Sequence, residues 1–77
     1  QRYWKNEALT NFKAYSPENL LRMSQGRAPL TLNTINGKMY PMELHHPNGR
    51  KGSDLFNFIQ VTPWKHAEID KYRHFIP

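Results

Sequence analysis

The chain has 77 residues, no cysteine, and eleven lysines and arginines against six aspartates and glutamates, giving a formal net charge of +5. Such a chain forms at most one domain with a thin core, and without disulfides its stability must come from a metal, a partner or an unassisted small core. The charge favours a polyanionic partner, which is nucleic acid, an acidic protein or an anionic membrane surface.

No apolar run approaches the roughly 20 residues of a membrane span, and no signal peptide is visible. The first residue is Gln1 and not Met, so we expect the chain to be a segment of a longer protein.

The N-terminal third predicts two helices, with residues 1–25 as the helical part of a single domain 1–77. Apolar residues recur at helical spacing over residues 2–15. In the next segment Ser16 is suited to cap a helix, Pro17 to its first position and Gly26 to its end. We expect these helices to supply a core made of Tyr3, Trp4, Phe12, Leu20, Leu21 and Met23.

Residues 30–46, LTLNTINGKMYPMELHH, predict a β-hairpin with Asn36-Gly37 as a two-residue turn. Pro41 indicates that the second strand is at an edge or bulged. Residues 47–54 are rich in loop-forming residues, and residues 56–61 predict a short strand.

The last predicted element is a helix capped by Thr62, with Pro63 at its first position, that runs to about His74. Helices before and after a hairpin indicate the α+β class.

The four histidines all lie in the last 33 residues, and two of them are adjacent. Neighbouring residues of an extended chain point to opposite sides, so one of His45 and His46 can face a metal while the other faces a groove. The pair therefore suits one ligand and one general base. The alternative is a pair of ordinary surface or partly buried histidines.

On the predicted last helix, His66 and Asp70 are four residues apart and lie on one face, where they can chelate one ion. His74 is about 12 Å from His66 along a continuous helix and cannot share that ion unless the helix breaks first. The predicted metal ligands are therefore His45, His66 and Asp70, with His74 as the alternative third ligand. The alternative is a solvated helix face on which Asp70 pairs with Lys71 or Arg73.

ELHH at 43–46, Asn57, and VTPWKH at 61–66 together resemble the HNH nuclease motif. The closest likeness is to the colicin and pyocin nuclease toxins and to the LHH group of polymorphic bacterial toxins, and it covers residues 26–70. The resemblance implies a small ββα-metal finger, which is treble-clef-like, in residues 26–77 behind the two N-terminal helices.

The resemblance also implies a role for each motif residue. His45 and His66 would be metal ligands, His46 the general base, and Asn57 the residue that holds the loop by backbone hydrogen bonds and so orients His46. Asp70 stands where colicin-like members have a second helix histidine. One divalent ion is expected, and because a carboxylate is a harder ligand than imidazole, the expectation shifts from zinc alone towards magnesium or manganese as well, with nickel also a candidate.

Several charged residues are candidates for supporting roles. Glu43 is expected to tether an arginine such as Arg27 or, alternatively, to be an edge-strand surface residue. Trp64 is expected to pack, with stacking on a base as the alternative. Phosphate contacts are expected from Arg27, Arg50, Lys51 and Lys65, for which the alternative is ordinary solubilising charge.

The function expected from this pattern is metal-dependent cleavage of DNA. By resemblance, the chain would be the C-terminal toxin domain of a larger secreted or contact-delivered bacterial protein. It would act in the target-cell cytoplasm and be held inactive in the producer by an acidic immunity protein. One alternative is an RNase that uses the same site. Another is a non-catalytic, metal-stabilised module that binds nucleic acid or a protein.

Overall fold

The structure, a computed structural model, describes residues 1–47 and 57–77 and confirms the α+β class. Over these residues it has three α-helices and two small antiparallel sheets. None of the helices in this part of the chain is long and apolar enough to cross a membrane. In chain order the elements are α1 Arg2–Thr10, α2 Pro17–Ser24, β1 Leu30–Leu32, β2 Met39–Pro41, β3 Glu43–His45, β4 Ile59–Val61 and α3 Pro63–Ile69.

The two N-terminal helices form largely where the sequence predicts them. The Ser16 hydroxyl accepts a hydrogen bond from the Asn19 backbone N–H at 3.2 Å, which caps α2, and Pro17 takes the first helical position. Gly26 follows the helix with φ of +80°, a conformation that favours glycine. Helix α1 is shorter than predicted, because the backbone leaves helical geometry at Asn11 and continues as a short 3₁₀ turn.

The buried apolar core is small, as the chain length predicts. Its buried members among the described residues include Trp4 on α1, Met23 on α2 and Val61 on β4. Two of the predicted core residues are wrong. Phe12 is 52% exposed because it lies in the 3₁₀ turn beyond α1, and Leu21 is 63% exposed because it lies off the face of α2 that buries Met23.

The first hairpin pairs β1 with β2, but its turn is not the predicted two-residue one. Residues 33–38 connect the strands. The buried side chain of Asn33 accepts hydrogen bonds from the backbone N–H groups of Ile35 and Asn36 at 2.9 and 3.1 Å. Gly37 has φ of +75° whereas Asn36 does not have positive φ, so the pair does not form the expected turn. The Asn33 side chain therefore organises the turn.

The second hairpin divides what the sequence predicts as one long strand. After β2 the chain changes partner at Met42, and β3 pairs with β4 instead of with β1. In this antiparallel register Glu43 lies opposite Val61, and His45 lies opposite Ile59. The motif histidines thus belong to a different sheet from the Asn36-Gly37 turn.

Helix α3 begins as predicted and ends earlier than predicted. Thr62 caps it by accepting from the Lys65 backbone N–H at 3.1 Å. The expected extension to about His74 is wrong, because Asp70 is already extended and its side chain accepts from the Tyr72 backbone N–H at 2.9 Å. The following segment turns back onto the domain, where the Phe75 ring contacts Tyr40 and Trp64 at centroid distances of 5.1 and 5.7 Å.

A polar cluster fastens α1 to β4, and we call it the Glu7 network: Tyr3, Glu7, Asn11, Tyr15 and Gln60. The Glu7 carboxylate accepts from Tyr15 at 2.6 Å, from Gln60 at 3.1 Å and from Asn11 at 3.2 Å. Gln60 also donates to the Tyr3 hydroxyl at 2.8 Å. The Tyr15 hydroxyl lowers the pKa of Glu7, while burial and Glu7 raise the pKa of Tyr15 to about 12. Hydrogen bonds thus supplement the thin core.

Candidate metal centre

Strand β3 and helix α3 bring two histidines together. Side chains alternate along a strand, so Glu43 and His45 lie on the same face of β3, and α3 contacts this strand. His66 lies in the middle of α3, and its ring centroid is 5.1 Å from that of His45. The alternation of the strand and the position along the helix therefore place the two imidazoles side by side.

The predicted ligand set forms a cluster. One ligand atom each from His45, His66 and Asp70 lies within 4.8 Å of the other two, and all three residues are half-buried. Ligands held about 2.0–2.2 Å from one ion are at most about 4.4 Å apart, so a small side-chain adjustment lets the cluster hold one ion. His66 Nε2 and Asp70 Oδ2 are 3.6 Å apart, longer than a hydrogen bond but compatible with two ligands on a shared ion.

The orientation of His66 also fits a metal. Its Nδ1 lies 2.8 Å from Glu43 Oε1, and a charged carboxylate can only accept, so the hydrogen must be on Nδ1. In the neutral ring the Nε2 lone pair then faces Asp70. A carboxylate on the distal nitrogen is the arrangement that orients metal-binding histidines. Two imidazoles and a carboxylate are also a donor set used by zinc and related divalent ions.

Arg73 also binds the Glu43 carboxylate that contacts His66. Arg73 donates from Nη2 to Glu43 Oε2 at 2.6 Å and from Nε to Oε1 at 2.9 Å, a two-point contact. Arg73 is the main cause of the lowered pKa of Glu43, which burial opposes and His66 reinforces. Glu43 does tether an arginine, but the partner is Arg73 and not Arg27. We call Glu43, His66 and Arg73 the Glu43 network.

The adjacent histidines have different surroundings. His45 belongs to the cluster, whereas His46 follows the last residue of β3 and packs its ring against Phe58 at a centroid distance of 4.5 Å. The role of His46 as a base stays a prediction. Asn57 is exposed and directly follows residues 48–56, which are outside the described part of the chain. Its role in holding the loop also stays a prediction.

The other predicted site residues within the described part of the chain lie outside the cluster. Lys65 is exposed and pairs with Glu68 at 3.2 Å, and Arg27 is exposed. Arg50 and Lys51 lie outside the described residues. His74 is exposed and is not in the cluster, where Asp70 supplies the third ligand atom. Trp64 packs edge-on against Tyr40 at 5.9 Å, in line with the packing role.

Arg73 is the site residue that the sequence did not reveal. The sequence suggests Asp70, three residues away, as a partner of the Arg73 side chain, but that side chain pairs with Glu43, 30 residues away in the chain. Its pairing depends on the early end of α3, which turns the C-terminal segment back toward β3. No local pattern around Arg73 indicates this.

An open groove of about 380 Å³ lies beside the Glu43 network. Its walls come from β2, β3, the start of α3 and the C-terminal segment. The lining residues are Tyr40, Pro41, Glu43, Pro63, Arg73, His74, Phe75 and Ile76. Glu43 and Arg73 thus border a concavity whose walls also carry the aromatic residues Tyr40 and Phe75.

Comparison of the chain with protein-family models, with curated proteins and with solved structures found no match.

Proposed function

We propose that the chain is a metal-dependent endonuclease that hydrolyses phosphodiester bonds of DNA through an HNH-type site. The observation that carries the proposal is the meeting of His45, His66 and Asp70 at one point, with a second histidine next to His45. The order of β3, β4 and α3 around that point supports a ββα-metal finger. The motif residues ELHH, Asn57 and VTPWKH, which include two of the three cluster residues, support the same assignment.

The chain's own residues suit hydrolysis of a phosphodiester. Three protein ligands would hold one divalent ion, either zinc, magnesium, manganese or nickel, and leave positions open for other ligands. When bound, the ion supplies charge neutralisation at the phosphate and the leaving oxygen. His46 takes the proton of the attacking water as a general base, a role for which a ring nitrogen of imidazole is suited. Asn57 holds the loop that orients His46.

Substrate binding is assigned to the basic surface. The net charge of +5 attracts a polyanion, and contacts to phosphates bind without reading sequence. Lys65 lies in the first turn of α3, one residue before His66. It can bind a phosphate by giving up its ion pair with Glu68. Arg27, Arg50 and Lys51 are the other proposed contacts. Binding through these residues weakens as salt is added.

The biological setting is part of the same proposal. The chain would be the C-terminal toxin domain of a larger bacterial protein, secreted or delivered by contact, that acts in the target-cell cytoplasm. An acidic immunity protein would hold it inactive in the producer, which suits the basic surface.

The test is cleavage of supercoiled plasmid, with total RNA in parallel. The protein is stripped with EDTA and then given magnesium, manganese, zinc or nickel one at a time. We expect nicking that EDTA abolishes and at least one metal restores. His46→Ala should abolish nicking while calorimetry shows retained metal affinity. His74→Ala is the matched control, since it removes an exposed histidine outside the cluster, and it should cut normally.

Each other outcome has a distinct meaning. Cleavage of RNA alone would replace the DNase assignment with an RNase that uses the same residues. Metal binding without cleavage of either substrate would leave a metal-stabilised binding module. Nicking by His46→Ala at the wild-type rate would remove His46 from its proposed role. Unchanged metal affinity in His45→Ala would remove that residue from the metal site.

A further inference from the structure

We propose that Arg73 is a positioning residue that pre-organises two of the three metal ligands, His66 and Asp70, before an ion arrives. The inference rests on the metal site of the proposed function and not on nuclease activity. It follows from the position of Arg73 between the C-terminal segment and β3.

Arg73 acts on the first ligand, His66, through Glu43. Arg73 contacts both oxygens of this carboxylate, at 2.9 Å on Oε1 and 2.6 Å on Oε2. The fork of a guanidinium fixes the plane of a carboxylate more firmly than a single point charge does. Oε1, held in this way, is the atom that lies 2.8 Å from His66 Nδ1. Arg73 therefore determines the rotation and the tautomer of His66 without touching it.

Arg73 acts on the second ligand, Asp70, through backbone hydrogen bonds. Arg73 donates its backbone N–H to the Asp70 carbonyl at 3.0 Å, and Tyr72 donates its backbone N–H to Asp70 Oδ1 at 2.9 Å. These bonds close a turn directly after α3. Because the Arg73 side chain is fixed to Glu43, the turn is held against β3 and Asp70 Oδ2 is left facing His66 Nε2.

A simpler role for Arg73 would be to hold the C-terminal segment in place. Phe75 gives the matched comparison, because its ring anchors the same segment on Tyr40 and Trp64 and not on the Glu43 carboxylate. Losing either residue loosens the segment. Only the loss of Arg73 releases the carboxylate that orients His66.

The experiment compares Arg73→Met with Phe75→Leu by two measurements on the metal-free and zinc-titrated protein. Nitrogen-15 NMR of the His66 ring, without metal, reports which nitrogen carries the hydrogen. Calorimetry with Zn²⁺ alone reports affinity. We expect Arg73→Met to redistribute the His66 tautomers and weaken Zn²⁺ binding about 10–100-fold, as loss of an outer partner of a ligand typically does. Phe75→Leu should leave the tautomer unchanged.

Added guanidinium ion, at concentrations below those that denature, should restore the tautomer and part of the affinity in Arg73→Met and do nothing in Phe75→Leu. Arg73→Lys, which keeps the charge but loses the fork, should fall between and serves if Arg73→Met does not fold. An unchanged His66 tautomer in both Arg73 variants would overturn the inference. If the wild-type protein binds no metal, the proposed metal site fails, while the tautomer measurement still decides whether Arg73 orients His66.

Discussion

Two half-buried glutamates, Glu7 and Glu43, each gather a set of hydrogen-bond donors and each has a lowered pKa, yet their surroundings differ. The donors to Glu7 are a phenol and two amides, and their contacts join α1 to β4. Those of Glu43 are an imidazole that belongs to a candidate metal cluster and an arginine.

A lowered glutamate pKa is therefore not by itself the mark of a functional site. Neutral donors around Glu7 can only fasten one element to another. The Glu43 carboxylate, by contrast, binds Nδ1 of His66 and so fixes the direction of Nε2, the nitrogen that can bind an ion. The chemistry of the partners separates the two networks, and the following substitutions test that separation.

The largest contrast is expected between His66→Ala and Gln60→Ala. Each substitution removes one hydrogen-bond partner of the glutamate in its network. His66→Ala should abolish measurable Zn²⁺ binding in calorimetry. Gln60→Ala should lower the free energy of unfolding in urea by about 2 kcal/mol, since it breaks hydrogen bonds to a charged group and a phenol, and keep Zn²⁺ binding. Equal losses of Zn²⁺ affinity in the two variants would show that the networks are not separable.

A smaller contrast is expected when the two carboxylates themselves become amides. Glu43→Gln should weaken Zn²⁺ binding about 10–100-fold, because an uncharged amide has only one acceptor oxygen where His66 and Arg73 together use two. Glu7→Gln should leave Zn²⁺ affinity unchanged and lower the free energy of unfolding by about 1–2 kcal/mol. Calorimetry and urea unfolding of both variants give all four values. A reversed pattern would contradict the assignment of roles.

The loss of folding stability at alkaline pH should come from the Glu7 network. Folding raises the pKa of Tyr15 from 10.0 to about 12, so the fold favours the neutral phenol. The stability from this preference is complete below about pH 10 and is lost as pH rises towards 12. Urea unfolding from pH 8 to 12 should show this loss in the wild type and less of it in Tyr15→Phe. Identical pH profiles would mean that Tyr15 contributes nothing.

The smallest effect is expected at a pair outside both networks. Lys65 and Glu68 form an ion pair with side chains 59% and 66% exposed. Exposed pairs contribute about 0.2–1 kcal/mol or less, so Lys65→Met should barely change the unfolding curve or Zn²⁺ affinity. DNA binding by gel shift should weaken, and its salt dependence should become less steep, if Lys65 contacts a phosphate. An unaltered salt dependence would leave Lys65 as a solubilising charge.

Local signals in the sequence predicted much of this fold. The caps of α2 and α3 depend on a side chain and a backbone group three residues apart, so Ser16 and Thr62 identify both helix starts. The ligand cluster was also predictable, because Asp70 directly follows α3, four residues after His66, and the alternation of a strand separates His45 from His46. The caps and the pairing of His66 with Asp70 need only short-range geometry, whereas the meeting of His45 with His66 joins two separate elements.

What the sequence did not predict depends on partners that are far apart in the chain. Helix α3 ends at Ile69 because Asp70 turns the chain and because Arg73 and Phe75 find partners on other elements. The turn at residues 33–38 is the exception, because it is decided locally. The Asn33 side chain binds backbone N–H groups two and three residues later, and these bonds outweigh the turn preference of Asn-Gly.

The register of β3 against β4 has a consequence for folding errors. A slip of one residue would put His46 where His45 now faces α3, so a histidine would still stand at that point of the sheet. The same slip would put Leu44 in the place of Glu43, and Arg73 would meet a methyl group. A metal ion would therefore meet a histidine at this position in both registers. Only the correct register also places Glu43 where it can bind Arg73 and His66.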